Sequence, residues 1–393
     1  MSEVPRPPLA GTKMDIDYKK SKLQNGVRVI SIPLKNTAVV TSLVLVGTGS
    51  HYEPKELSGT SHFLEHLFFK GSKKYPNAAK IATMLDGLGA EYNAFTGEEE
   101  TGFYVKTVSD KTETALDVMC DYLNNPLFAK KEIERERGVI LEELHMYQDI
   151  PQRHAVEILM EELYGDQPAG RNTGGNEETV MGIKPSDIKD YFKEQYKGDN
   201  IVAVFAGDIS HTKARDLARK YLSGLPSGQP YKKEPVLDVE NTGPKARIEK
   251  RASDQTHIAI GFQGYDLSDK RRYALDVLAV ILGGGMSSRL FSQVREKRGL
   301  AYYVRAGTNE GTDFGYFAAT AGVANKKVDE AVRVIVRELK KLKKEPVSAQ
   351  ELRKAKNSIE GHTLLNIETS DALALELGAQ EVLLNNIITP EEY

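Results

Sequence analysis

The sequence predicts an α+β protein made of two homologous domains, each a mostly antiparallel sheet packed with helices. Apolar runs of strand length, such as AVVTSLVLVG, alternate with segments of helical periodicity. The second half repeats the first in order: HIAIGFQG corresponds to TSLVLVGTG, and SAQELRKAKNSIEGHTLL to FAKKEIERERGVILEELH. The length of 393 residues also exceeds what one hydrophobic core usually supports.

The first domain is predicted over residues 15–223. Asn25 and Gly26 form a hairpin signal before a strand, and AVVTSLVLVG reads as a more buried strand. Helical periodicity and cap residues then predict helices over residues 58–70, 77–88, 110–123, 130–146 and 184–196, and alternation predicts strands over residues 91–96, 101–108 and 200–208.

A linker is predicted over residues 224–245, where prolines and glycines replace regular periodicity. The second homologous domain is then predicted over residues 246–393. Thr389 and Pro390 are typical of the start of a helix, but no helical segment follows them in the sequence. We therefore expect that this domain lacks its last helix and strand, or that another chain completes it.

Composition excludes several classes of function. The formal net charge of -3 gives no basic field for nucleic acid or anionic lipid, and no apolar run is long enough to span a membrane. The N-terminal residues have the pattern of neither a secretory signal nor a transit peptide, so a cytoplasmic location is expected. Cys120, the single cysteine, excludes an intrachain disulfide and a thiolate zinc cluster, and its apolar surroundings predict a buried thiol.

The segment SHFLEHLFF contains the most informative pattern. On a helical wheel, His62, Glu65 and His66 share one side, and the apolar residues fill the other. Two histidines four residues apart can bind one cation, and zinc suits that geometry. Glu65 is placed to take a proton from a water at the metal. The alternative is two surface histidines with a helix-pairing glutamate.

The third zinc ligand is sought in EIERERGVILEELH, a helix rich in glutamate. Glu136 and Glu143 lie seven residues apart on one face, whereas Glu142 points about 100° away from Glu143. Glu143 is therefore the predicted ligand, and Glu136 is predicted to orient a ligand or relay a proton. For any one of these glutamates, the alternative is a solvated helix face.

The order His-x-x-Glu-His is the inverted zinc motif of the inverzincins. GTSHFLEHLFFKGS, with Glu143 following 77 residues after His66, closely resembles the pitrilysin and insulysin superfamily. The match is nearest to the short-chain branch that includes mitochondrial processing peptidase and bacterial processing-type peptidases. The resemblance implies a LuxS/MPP-like metallopeptidase fold and one Zn²⁺ per chain. It also implies that His62, His66 and Glu143 are the ligands, Glu65 the general base and Glu136 an accessory carboxylate.

Two further segments carry the resemblance. YNAFTGEEETGFY resembles the strand beside the metal, where Asn93 and Ala94 would present backbone groups to an extended peptide. SSRLFSQVREKRGLAYYV resembles the segment that carries an Arg and Tyr pair, here Arg295 and Tyr302. These side chains would donate hydrogen bonds to the substrate carbonyl and to the oxyanion. Without the resemblance, they would be read as a salt bridge and a core aromatic.

We therefore expect a zinc metalloendopeptidase that cleaves peptides or unfolded protein segments. The resemblance implies a closed chamber, and the presence of both half-sites favours a homodimer. The second half does not repeat the metal set, because Ala355 and His362 stand where the first half has Glu136 and Glu143. The alternatives are a non-catalytic scaffold subunit of the same fold and a presequence-processing subunit that requires a different partner chain.

Overall fold

The computed structural model describes residues 16–237, 239, 243–389 and 392. Its strands are β1 Lys19–Lys22, β2 Arg28–Pro33, β3 Val39–Val46, β4 Glu91–Thr96, β5 Thr101–Val108, β6 Ile201–Gly207, β7 Gln255–Gln263, β8 Ala301–Glu310 and β9 Gly315–Ala324. Its α-helices are α1 Thr60–Phe68, α2 Ala78–Gly87, α3 Thr112–Asn124, α4 Lys130–Gln148, α5 Pro151–Tyr164, α6 Glu177–Gly182, α7 Pro185–Gln195, α8 His211–Leu222, α9 Arg272–Gly283, α10 Val328–Lys344, α11 Ala349–Asn366 and α12 Ser370–Leu384.

The first sheet has the strand order β1-β2-β6-β3-β5-β4. Only β2 and β6 pair in parallel, and the other neighbours are antiparallel. The continuous apolar run of β6 fits a strand that is covered on both faces. At the other end of the order, β4 pairs with β5 alone among the described residues, which leaves its other edge open.

One face of this sheet packs against α1, α3, α4 and α8 in the larger apolar core. Phe63, Leu64, Leu67 and Phe68 of α1 are fully buried there. Cys120 is buried in the same core, as predicted, and burial raises the pKa of its thiol. The second sheet has the order β7-β9-β8, is antiparallel, and packs with α9 and α10 around a smaller core.

Each half of the chain contributes a helix that packs against the sheet of the other half, an exchange of helices between the two sheets. From the second half, α12 covers the other face of the first sheet, where Leu373 and Leu377 join an apolar cluster with residues of β2, β3 and β6. From the first half, α5 packs against the second sheet, and a methyl group on Gly261 of β7 would lie 2.6 Å from Leu159 Cδ2 of α5. The predicted fold class is confirmed, but this exchange was not predicted.

The linker and domain boundaries remain predictions. Between Leu222 and Gln255, the described residues form neither a helix nor a strand. Pro390 lies outside the described residues, so the helix start predicted at Thr389 is not described as a whole. None of the helices in the described part of the chain is long and apolar enough to cross a lipid bilayer.

Replacing Gly378 with valine is expected to lower the free energy of unfolding by about 1–3 kcal/mol, because a methyl group there would lie 2.5 Å from Leu45 Cδ1. Gly361 of α11 has no atom within 4 Å of the equivalent point. The control Gly361→Val should therefore change stability by less than about 0.5 kcal/mol. Thermal unfolding followed by circular dichroism measures both variants. Equal melting temperatures would mean that α12 is not packed closely on this sheet.

Candidate metal centre

The helix that carries the His-x-x-Glu-His motif is held firmly at its start. Gly59 precedes α1 with φ of 97°, and a side chain there would meet the carbonyl oxygen of Gly174 at 2.5 Å. The buried carboxylate of Glu53 accepts hydrogen bonds from the backbone nitrogens of Gly59, at 2.6 Å, and Ser61, at 2.5 Å. Burial raises the pKa of Glu53 to about 8, and these bonds oppose the shift. Glu53 was not predicted, since no local pattern links it to α1.

Helix α1 packs against α4, and this contact brings the three predicted ligands together. His66 Nε2 lies 3.3 Å from Glu143 Oε2, and His62 Nε2 lies 3.7 Å from the same oxygen. One ligand atom from each residue lies within 4.8 Å of the others. Two imidazole nitrogens and one carboxylate oxygen are a donor set that zinc accepts, so the residues fit this ion. Within the described residues, this is the one group of histidine, cysteine and acidic side chains with such spacing.

Glu136 lies behind the second histidine. Its Oε2 is 3.3 Å from His66 Nδ1, and its Oε1 is 2.9 Å from Lys70 Nζ. When the ring proton of His66 is on Nδ1, this N–H donates a hydrogen bond to Glu136 Oε2. The lone pair of Nε2 then faces Glu143. Lys70 was not predicted, although it follows His66 by four residues and so shares its helix face.

Burial shifts the pKa of His62 and the pKa of Glu65 in opposite directions. Burial lowers the pKa of His62 to about 4, and the neighbouring His66 adds to the shift, so its imidazole is neutral near pH 7. Burial also raises the pKa of Glu65. The hydrogen bond that Thr96 Oγ1 donates to Glu65 Oε2 at 2.7 Å acts in the other direction and lowers this pKa. Thr96 was not predicted, and its place at the end of β4 is the signal that could have found it.

Tyr147 and Arg153 extend the site along α4 into α5. A hydrogen bond to Glu143 raises the pKa of the Tyr147 hydroxyl. The guanidinium carbon of Arg153 lies 3.4 Å from the centre of the Tyr147 ring, a stacked cation–π contact. Tyr147 follows Glu143 by one helical turn, so helical periodicity could have indicated it.

The predicted substrate strand lies at the open edge of the first sheet. Asn93 and Ala94 belong to β4, which continues to Thr96 and hence to Glu65. The backbone nitrogen of Ala94 donates to Asn93 Oδ1 at 2.9 Å, a local bond outside the strand ladder. That nitrogen therefore faces the free side of the edge strand.

The structure does not bring Arg295 and Tyr302 to this site. Arg295 lies in a π-helical turn over residues 291–296, and its guanidinium carbon is 5.1 Å from the centre of the Phe291 ring. Tyr302 is 62% exposed on β8. Among the described residues, the hydrogen bonds and ion pairs of His62, His66 and Glu143 involve neither of these side chains.

Fold and site together define a class of protein: an α+β chain whose described residues form two sheets and one His-His-Glu site able to hold a metal ion. Residues 28–177 match the family model described as insulinase (peptidase family M16). Residues 182–359 match the model described as the peptidase M16 inactive domain.

Relatives agree with these matches. An uncharacterized zinc protease of Bacillus subtilis is 33% identical over 95% of this chain and 90% of its own length. Another uncharacterized zinc protease, from Streptomyces coelicolor, is 32% identical over 93% of this chain and 80% of its own. The chain therefore belongs to the M16 peptidase family, which confirms the resemblance to the pitrilysin and insulysin superfamily.

Solved structures share the fold. A protease from Helicobacter pylori superimposes with a TM-score of 0.88 at 26% identity, covering 94% of this chain and 90% of its own. A peptidase M16 inactive domain from Pseudomonas fluorescens superimposes with a TM-score of 0.85 at 23% identity, covering 94% and 88%. The second likeness concerns the fold alone.

Proposed function

We propose that this chain is a zinc-dependent endopeptidase that cleaves peptides or unfolded protein segments. The convergence of His62, His66 and Glu143 on one point, with Glu65 beside them, is the observation that carries the proposal. The names of the relatives, which call them zinc proteases, agree with it. One zinc ion per chain is proposed, held by these three side chains.

Zinc bound there would supply Lewis acidity to the scissile carbonyl and to the attacking water. Glu65 accepts the proton of that water and later passes it to the leaving amine. Burial, which raises the pKa of Glu65, favours its protonated form between these two steps. Thr96 orients the carboxylate through its hydrogen bond to Oε2. Glu136 keeps His66 in the orientation that presents Nε2 to the site.

Substrate binds along β4 in this proposal. The open edge offers backbone donors and acceptors to an extended peptide, and a peptide in this position adds a seventh strand beside Asn93 and Ala94. Binding requires Ala94 to exchange its local bond with Asn93 for a bond to the peptide. Only extended, unfolded segments can pair in this way, which is the reason for the proposed substrate class.

The proposal requires a test of metal dependence. The native chain should contain about one zinc ion per chain and hydrolyse a quenched unstructured peptide. Removal of the metal with a chelator should abolish hydrolysis, and added zinc should restore it. A zinc-loaded chain that hydrolyses no unstructured peptide would favour the non-catalytic scaffold instead.

Arg295 and Tyr302 are proposed to act from a second copy of the chain in a cytoplasmic homodimer. Both are exposed, and their contacts lie outside the metal centre of their own chain. A mixing experiment tests this arrangement. Glu65→Gln and the double variant Arg295→Ala/Tyr302→Phe should each be inactive alone, whereas unfolding and refolding the two together should recover part of the activity. No recovery would mean that the pair does not act across copies.

A further inference from the structure

The turn between β4 and β5, residues 97–100, lies directly behind the hydrogen bond that orients Glu65. Thr96, the last residue of β4, donates that bond, so the turn begins one residue after it. Thr101, the first residue of β5, donates from its hydroxyl to the carbonyl oxygen of Thr48 at 2.8 Å. Because a hydrogen bond weakens as its angle departs from the preferred range, a shift of this turn would weaken the bond to Glu65.

Glu99 of this turn contacts the second half of the chain. Its Oε2 accepts a hydrogen bond from the backbone nitrogen of Thr312 at 2.6 Å, and its Oε1 accepts one from the Thr312 hydroxyl. Thr312 lies in the turn between β8 and β9, residues 311–314. A methyl group on Gly311 of the same turn would lie 2.7 Å from Glu99 Oε2. The two turns are therefore in close contact through this carboxylate.

Lys233, in the predicted linker, lies between two carboxylates at this contact. Its ammonium group donates to Glu99 Oε1 and, at 2.5 Å, to Asp313 Oδ1. Asp313 Oδ2 accepts a hydrogen bond from the backbone nitrogen of Val236 at 3.0 Å, a second bond between the linker and the β8–β9 turn. The Lys233 side chain is 12% exposed and that of Glu99 is 3% exposed. Glu99, Lys233 and Asp313 thus form a clamp that is largely shielded from water.

A second contact of the β8–β9 turn leads to the start of α1. The ring of Phe314 meets the buried imidazole of His51 edge to face, with the ring centres 4.8 Å apart. The backbone nitrogen of His51 donates to the carbonyl oxygen of Glu98 in the β4–β5 turn at 2.9 Å. Glu53, two residues after His51, binds the first backbone nitrogens of α1. The second half therefore packs against both segments that position the motif helix and the general base.

We propose that Glu99 and Lys233 are positioning residues for peptide hydrolysis. Their ion pair holds the β8–β9 turn against the β4–β5 turn and thereby fixes Thr96, which orients the carboxylate of Glu65. This inference rests on the proposed function, in which Glu65 is the general base. It gives a part in the chemistry to the second half, which contributes none of the three proposed zinc ligands.

Lys233→Met is the first test, because it removes the charge and nearly keeps the length of the side chain. It should lower kcat for the quenched unstructured peptide by about tenfold, the lower end of what loss of one hydrogen bond to a charged group causes. Zinc content should not change. Lys232→Met, the same change at the exposed neighbouring lysine, is the control and should retain the wild-type kcat. If circular dichroism shows that Lys233→Met does not fold, Lys233→Met/Asp313→Asn, which leaves one carboxylate fewer unpaired, replaces it.

A double-mutant cycle with Thr96 distinguishes positioning from a general loosening of the fold. Thr96→Val removes the hydroxyl and keeps the shape of the side chain, and it should itself lower kcat. If Lys233 acts through Thr96, adding Lys233→Met to Thr96→Val should lower kcat by less than about twofold further, because the two changes remove the same effect. An equal loss in both backgrounds would overturn the inference. Full activity of Thr96→Val would overturn it too, since Thr96 would not orient the base.

Hydrogen exchange tests the clamp independently of hydrolysis. The backbone nitrogens of Gly97 and His51 donate to carbonyl oxygens of the β4–β5 turn, so they should exchange faster in Lys233→Met than in Lys232→Met. Faster exchange in a chain whose wild type hydrolyses no peptide would support the clamp and refute the proposed function. Faster exchange with an unchanged kcat would overturn the positioning role and leave the function intact. Equal exchange rates would overturn the clamp.

Discussion

Glu65→Gln is expected to lower kcat for peptide hydrolysis by about 10²–10⁴-fold while the chain keeps its zinc. Glutamine has nearly the shape of glutamate and can still accept the hydrogen bond from Thr96. It cannot take a proton from water near pH 7, so the loss falls on the chemical step. Steady-state kinetics with a quenched unstructured peptide, together with metal analysis of the same sample, measures the two effects.

The matched control for this variant is Glu56→Gln. Glu56 is exposed in the turn that precedes α1, so the same chemical change is made close to the motif but outside the site. Its kcat and zinc content should equal those of the wild-type chain. Full turnover by Glu65→Gln would remove this carboxylate from the mechanism.

Glu143→Gln is expected to weaken zinc binding by more than the 10- to 100-fold that typically follows loss of an outer-shell partner. Glu143 Oε2 is the atom that lies close to Nε2 of both histidines, and an amide brings no negative charge to a divalent ion. Competition with a chromophoric chelator measures the affinity, and hydrolysis should fall in parallel at limiting zinc.

Glu142→Gln is the control, because Glu142 is exposed and precedes Glu143 on the same helix by about 100° of rotation. It should bind zinc with the wild-type affinity. If Glu143→Gln bound zinc equally well, the third ligand would have to be another residue. The proposed centre would then be wrong even if the chain hydrolysed peptides.

Several parts of this protein could be predicted from the sequence because they depend on near neighbours along the chain. The order of helices and strands in the first half follows from apolar periodicity, and the strands predicted over residues 91–96 and 101–108 have those bounds in the structure. The clustering of His62 and His66 depends only on the rise and twist of one helix. The face that Glu136 and Glu143 share on one glutamate-rich helix pointed to Glu143 as their partner, and the family resemblance implied the same residue.

Only the tertiary structure decided which residues from distant segments lie around that motif. Glu53 at the start of α1, Thr96 beside Glu65 and the position of β4 at an open edge arise from contacts that no local period records. The packing of α5 on the second sheet and of α12 on the first sheet is of the same kind. Periodicity shows which side of an element is apolar; which other element covers that side depends on the packing of the whole chain.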